Sequence, residues 1–478
     1  MDEERLLRLL ARLNPWWDGG DVPETLLMGQ YRRRDFHALK SDIDNEPVTT
    51  ICGPRQVGKT TLVGQLVDHL LNERGVDPRR VLYLTTETSQ LLPESGEVVA
   101  DLLEAYERHF LEKSFDKLDE TAYVFVDEIQ KVDDWDETLK FYVDTVSNLS
   151  FVVTGSVSAL IQRDASDTLV GRTEQRTVVP FKFADYVDYH SDLDSPQATG
   201  LRASLKDALT TGDRESFESE LKRSFAFRSE DEPELRSLLN DYLTNGGYPG
   251  VLDKDPAAAL YKLDQDLQRV VTGDIESTYS VKKPNAVFGV LRYFAESTGS
   301  KINVDRISKE TETARSTVER YVSHLEEFFL VYRCQHYTGS AKPGRKQPMA
   351  YVNDVGHLNT LLGVTPDTPT AAEDRGVQLE TMVCDHLRRL QHYLSGRRNT
   401  TVEYCETTGE VDFVVSGHDY VLPVEVKWGD STDANLGSVR QFVQRKNAEF
   451  GLAVNNAGAL AVDDRVVHVP AWLFLSLC

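Results

Sequence analysis

The stretch "VTTICGPRQVGKTTLVGQLVDHLLNER", Val48 to Arg74, decides how the chain is read. "VTTIC" is a short β-branched run, and "GPRQVGKTT", Gly53 to Thr61, fits G-x-x-x-x-G-K-[ST] in full. A helical pattern follows directly. Strand, glycine loop and helix in that order make a phosphate cradle. Gly53 and Gly58 free the backbone around Pro54, Arg55, Gln56 and Val57 to turn N–H groups inward, and the helix N-terminus adds its dipole. Lys59 is expected on the β- and γ-phosphate oxygens, and Thr60, followed by Thr61, on Mg²⁺.

Working outward, Val48 to Pro180 alternates β-branched runs with helical patterns, which predicts a parallel sheet with crossover helices. The expected strands are "VTTIC", "VLYLTT", "YVFVDE", "FVVTGS" and "RTVVP". "YVFVDEIQ" sets Asp127 and Glu128 after four apolar residues, at the strand end where open α/β sheets bind ligands. Asp127 is expected to hold Mg²⁺, and Glu128 to orient and polarise the attacking water. Ser156, ending "FVVTGS", stands where a polar γ-phosphate sensor belongs, with Thr154 the nearby alternative. Arg172 precedes the fifth strand and reads either as a phosphate-sensing or finger arginine or as a surface salt bridge.

At 478 residues the chain is too long for one core. The expected organisation is a helical segment at 1–45, a P-loop ATPase core at 46–190, a helical lid or linker at 191–283, a three-helix unit with a two-stranded wing at 284–355, and an α/β tail at 356–478. The run Arg32 to Arg34 reads as a solvated helix face, and Trp16 and Trp17 as core packing rather than adenine contacts. In "NVDRISKETETARSTVERYVSHLEEFFLVYRC" one apolar stripe runs from Ala314 through Val318, Tyr321, Val322 and Leu325, leaving Arg315 and Arg320 off it. Lys342, Arg345 and Lys346 fall at the expected wing tip. This basic cluster suits nucleic acid, but such a unit also serves as a lid or docking module.

The net charge is −24, with 77 Asp and Glu against 53 Lys and Arg, and Arg outnumbers Lys. Acid surplus with scarce Lys resembles a halophilic archaeal proteome. Such a charge repels phosphate on average, so DNA contact has to come from locally basic elements. Five scattered cysteines without a C-x-x-C pair read as reduced thiols in a cytoplasm. "MDEERLLRLLARL" reads as an acidic amphipathic helix rather than a signal peptide, and no apolar run approaches membrane-spanning length.

The motif order resembles the AAA+ superfamily. More narrowly, "GPRQVGKTTL", "DEIQKVDDW", "TGS", "GR" and "NGGYPGVL" are similar to a prokaryotic and archaeal ATPase family that joins an AAA+ domain to a winged helix and a C-terminal domain of restriction-endonuclease fold. The resemblance covers about Tyr31 to Asn455 and implies ATP rather than GTP. In the tail, "GEVDFVVSGHDYVLPVEVKW" sends Glu425 and Lys427 to one strand face, and a hairpin around Ser416 to Asp419 would bring Asp412 near Glu425. Alone, this is as readily a charged sheet face. Within the family it is similar to the D…E-x-K pattern of PD-(D/E)xK nucleases, with Val411 where a Pro often precedes the Asp. The resemblance implies Mg²⁺ on Asp412 and Glu425, Lys427 orienting water or stabilising the phosphorane, and Glu380 as the completing helix acid.

The expected protein is thus an ATP-hydrolysing AAA+ protein acting on or signalling to DNA, with a Mg²⁺-dependent nuclease tail. The alternative is an ATP-dependent switch or scaffold whose tail binds nucleic acid or a protein partner without cleavage. A homo-oligomer is required if Arg172 acts across a subunit boundary.

Overall fold

A computed structural model describes residues 3–28, 31–86, 98–132, 135–156, 171–193, 198–339, 346–364, 372–395, 400–406, 409–429, 436–456, 458, 460–463 and 465–478. They form two compact units, Met1–Val179 and Pro180–Cys478.

The first unit is built on five parallel strands: β1 (Val48–Cys52), β2 (Val81–Thr85), β3 (Ala122–Asp127), β4 (Leu149–Gly155) and β5 (Thr173–Thr177). Their order is β2-β3-β4-β1-β5. β1, β3 and β4 are buried along their whole length, as strands covered on both faces must be. β1 leads through the P-loop into helix α3 (Lys59–Asp68), after α1 (Glu3–Leu13) and α2 (Arg34–Asn45). Leu6 and Leu10 of α1 enter the same core as Leu82, Val124 and Phe151, so the N-terminal segment packs within the core of the first unit.

The fifth strand departs from expectation. "RTVVP" was the apolar candidate, yet β5 is "TEQRT", a half-exposed edge strand. The apolar Val178 instead continues past the strand, donating its N–H to the Cys52 carbonyl at 2.7 Å.

In the second unit Asn245-Gly246-Gly247 ends helix α4 (Glu232–Asn245), with Gly246 at φ +76. Helices α5 (Pro284–Glu296), α6 (Val304–Glu310) and α7 (Arg315–Glu327) precede the antiparallel hairpin β6 (Val331–His336) and β7 (Met349–Val352). Val318, Tyr321, Val322 and Leu325 form the buried face of α7, whereas Ala314 stands exposed at its N-cap. Then follow α8 (Ala372–Ser395), β8 (Thr401–Cys405), β9 (Val411–Ser416), β10 (Val421–Lys427), α9 (Gly437–Lys446) and β11 (Gly451–Asn455).

The tail thus runs α, β, β, β, α, β, and β12 (Ala461–Asp463), β13 (Val466–Pro470) and α10 (Ala471–Leu477) extend it. All these strands form one sheet, β12-β13-β11-β10-β9-β8-β6-β7. The hairpin joins it through parallel pairing of Gln335 with Glu403 and His336 with Tyr404.

Candidate functional site

The P-loop bends where the sequence provides glycine. Gly53 has φ +152, and a Cβ there would stand 1.9 Å from the Val178 carbonyl oxygen; Gly58 has φ +93 at the N-cap of α3. Lys59 is buried and donates to the carbonyls of Gly53 (3.1 Å) and Pro54 (2.9 Å), with its Nζ 3.9 Å from Glu128. Burial pulls the Lys59 ammonium below its ordinary range, and Glu128 and Asp127 oppose that pull.

Asp127, at the end of β3, is surrounded by hydroxyls. Thr60 Oγ1 donates to its Oδ2 at 2.7 Å, Tyr83 to the same oxygen at 3.3 Å, and Thr154 to Oδ1. Burial raises the Asp127 carboxyl despite these donors. Glu128 behaves oppositely. Burial pushes it up, but Lys59 and hydrogen bonds from Ser156 and Gln130, each at 2.7 Å, outweigh burial and hold it below the ordinary carboxylate range. Its backbone adopts φ +57, a left-handed conformation uncommon for a side-chain-bearing residue. The turn is fixed by the Thr86 hydroxyl on the Glu128 carbonyl (2.5 Å) and by the Glu128 N–H on Thr154 Oγ1 (3.0 Å).

The structure thus brings together Gly53 to Thr61, Asp127, Glu128, Ser156 and Thr154. Ser156 faces Glu128 and Thr154 faces Asp127, so both sensor candidates have distinct places. Tyr83 and Gln130 join them without having been singled out, although the position of Gln130, two residues after Glu128, was a signal.

Arg172 is not brought in. β5 pairs in parallel with β1, Thr173 opposite Val48, which leaves Arg172 at the far end of the sheet from the loop after Cys52. At about 3.3 Å per residue the separation is roughly 15 Å. Its guanidinium lies on Asp144 at 2.7 Å.

Arg33 corrects the solvated-face reading of its run. It is 5% exposed, pairs with Asp35 at 2.6 Å, and donates to the carbonyls of Val57 (3.1 Å) and Val179 (2.8 Å). A buried guanidinium therefore supports the P-loop from beneath. Trp16 and Trp17 both donate to the Val81 carbonyl, at the start of β2, away from the loop.

In the second unit β9 and β10 pair as the expected hairpin, Ser416 opposite Val421. The ladder ends at Phe413 and Val424, and carboxylates take over the next bonds. Asp412 Oδ2 accepts the Val426 N–H at 2.7 Å, and the Glu425 carboxylate accepts the Asp412 N–H. Lys427 Nζ lies 2.6 Å from Glu425, whose Oε2 is buried without a hydrogen-bond partner among the described residues.

Glu380, on α8, accepts the Tyr351 hydroxyl at 2.6 Å. Burial, and then Glu425 and Glu380, hold the Asp412 carboxyl well above its ordinary value against Lys427. Burial likewise raises Glu425 and Glu380. Among the described residues no group of three or more His, Cys, Asp or Glu side chains stands ready to hold a metal ion.

Of the expected nucleic-acid residues, Arg315 is exposed and paired with Asp305 at 2.7 Å, and Arg320 is exposed on the same helix. Lys346 donates to Glu406 at 3.1 Å. Lys342 and Arg345 lie outside the described residues. Among the described residues no helix is long and apolar enough to cross a membrane.

Residues 45–187 match the AAA domain family, and residues 236–368 a domain of unknown function (DUF8612). An uncharacterised protein of Haemophilus influenzae is 23% identical over 390 residues, 80% of this chain and 83% of its own length. Another, from Mycobacterium tuberculosis, is 24% identical over 449 residues, covering 92% and 83%. Among solved structures, the ORC2 protein of Aeropyrum pernix in its ADP form aligns with 80% of this chain and 98% of its own at 13% identity and a TM-score of 0.34, a likeness too low to carry weight. The family match encloses the P-loop, Asp127, Glu128 and Ser156, and with their geometry it supports ATP binding and hydrolysis by the first unit.

Proposed function

We propose that this ATPase is Mg²⁺-dependent and that its nucleotide state governs a DNA-contacting second unit with a nuclease-type carboxylate site. The observation that carries the ATPase chemistry is the split between two adjacent acids: Asp127 ringed by hydroxyls, Glu128 held ionised. Thr60 Oγ1 and Asp127 are hard oxygen donors 2.7 Å apart and fit Mg²⁺, which would neutralise charge on the phosphates. Phosphate oxygens replace the Gly53 and Pro54 carbonyls as partners of Lys59. Glu128 orients water in line with the γ-phosphorus and takes its proton as the bond to ADP breaks, while Ser156 and Gln130 keep its carboxylate aimed. ATP turnover is expected to vanish in Lys59→Ala, and Glu128→Gln is expected to bind nucleotide without turning it over. Turnover that survives Lys59→Ala would sink this reading.

For the tail, Asp412 and Glu425 would hold a divalent cation and Lys427 would act on the phosphorane. The orphaned Glu425 Oε2 and the mutual upward push of the acids suit a cation at this spot. A second reading, DNA binding without cleavage, is favoured by the protein donors that already occupy Asp412 and Glu425. Incubation with DNA and RNA in molar KCl with Mg²⁺ or Mn²⁺ separates the two: cleavage lost in Lys427→Ala supports the nuclease, and binding without cutting of any form supports the switch. Molar salt is chosen because the acid surplus fits a halophilic cytoplasm. Arg172, far from its own P-loop, serves a nucleotide only across a subunit boundary.

A further inference from the structure

One end of the eight-stranded sheet carries a row of charged and titratable residues. β6 and β8 run parallel, and β7 and β9 run against them. β10 runs against β9 and parallel to β11. The C-terminal ends of β6, β8, β10 and β11 therefore share an edge with the N-terminal ends of β7 and β9. His336, Glu406, Glu410, Asp412, Glu425 and Lys427 lie along it.

Lys301 is joined to this edge by its bridge to Met349 at the start of β7. Lys301 and Lys346 both pair with the single carboxylate of Glu406, at 2.7 and 3.1 Å. Two ammoniums thus share one acid in a chain of net charge −24, where acids outnumber bases. His336, at the end of β6, is 6% exposed, and its Nε2 finds no hydrogen-bond partner among the described residues.

The lysine pair is continuous with the carboxylates. Glu380 Oε1 stands 3.1 Å from where a Cβ on Gly299 would be, two residues before Lys301. One to two strand spacings, about 5–10 Å, separate the end of β8 from the acids between β9 and β10. At about 3.4 Å of rise per nucleotide, that is roughly two or three nucleotides of backbone.

We propose that Lys301 and Lys346 form a phosphodiester-binding site that holds the DNA backbone beside the Asp412 and Glu425 cluster, with Glu406 occupying the phosphate position when DNA is absent. The proposal rests on the DNA-contacting reading above and adds the residues that grip the substrate. Entering phosphate displaces Glu406 and takes both ammoniums, so Glu406 competes with the ligand. This competition sets the sign of the test.

The probe is a fluorescein-labelled DNA duplex titrated by anisotropy into full-length protein without divalent metal, over a range of KCl concentrations. The double variant Lys301→Gln/Lys346→Gln is expected to lose roughly tenfold or more in affinity and to lower the slope of log K against log [KCl] by about two. Glu406→Gln is expected to bind several-fold tighter, a gain that misfolding cannot produce. Wild-type binding with an unchanged slope in the double variant, or no gain in Glu406→Gln, overturns the lysine site alone. No binding by the wild type overturns the DNA reading and this proposal with it.

Discussion

The two acid clusters of this chain use similar residues toward opposite electrostatic ends. In the first unit, donors surplus to one carboxylate divide the labour: three hydroxyls face Asp127, and Lys59, Ser156 and Gln130 keep Glu128 charged. In the second unit, one lysine and two backbone N–H groups serve Asp412 and Glu425 together, and burial wins. The lesson is that an ammonium backed by neutral donors on one acid keeps Glu128 charged, whereas hydroxyls alone leave Asp127, and one shared lysine leaves Asp412 and Glu425, raised by burial.

The largest test of that contrast is catalytic. Lys59→Ala and Glu128→Gln should each bring ATP turnover below detection, a loss of at least about 10²- to 10³-fold, the usual scale for removing a group that acts on transition-state charge or proton transfer. Steady-state phosphate release measures it. Next in size is Arg33→Met, which leaves the Val57 and Val179 carbonyls without their donor. A cost of about 1–3 kcal/mol per buried carbonyl should lower the melting temperature and weaken nucleotide binding together.

Opposite signs are expected from neutralising one acid in each cluster. Glu128 has a folded-state pKa below its unfolded value, so its charge contributes stability above the unfolded pKa that is lost as pH falls through the folded one. Asp412 has a folded-state pKa raised above its unfolded value, so its charge costs stability at neutral pH, and acid relieves that cost. Calorimetry near pH 7 should therefore show Glu128→Gln melting lower than wild type and Asp412→Asn melting higher. Mn²⁺ uptake by the tail should weaken as pH falls, because the cation must displace protons from raised carboxyls; titration in buffers of different ionisation enthalpy reads the released protons. The smallest expected effect is that of Arg172→Ala, which should leave nucleotide affinity of dilute protein within error.

The first unit was legible in the sequence because its chemistry is local. Nine contiguous residues define the loop, and Asp127 and Glu128 follow four apolar strand residues that nothing but a buried strand would need. β5 was misplaced because an edge strand carries no apolar pattern, and the apolar Val178 belonged to the turn beside Gly53. Arg33 looked like surface because burial of a guanidinium depends on two carbonyls, Val57 and Val179, that lie far off in sequence. In the tail, alternation predicted the β9–β10 hairpin and so placed Asp412 near Glu425. Pairing of Gln335 and His336 with Glu403 and Tyr404 involves only two residues on each strand, and no local period announces it.

That same short pairing has a consequence during synthesis. β6 and β7 leave the ribosome before β8, and at about 5–20 residues per second the interval between His336 and Cys405 lasts ~3–14 s. Throughout it, the outer edge of β6 offers unpaired N–H and C=O groups to any neighbouring nascent chain. Early termination before β8 makes that exposure permanent, so polypeptides released there are expected to be aggregation-prone even with α5, α6 and α7 intact.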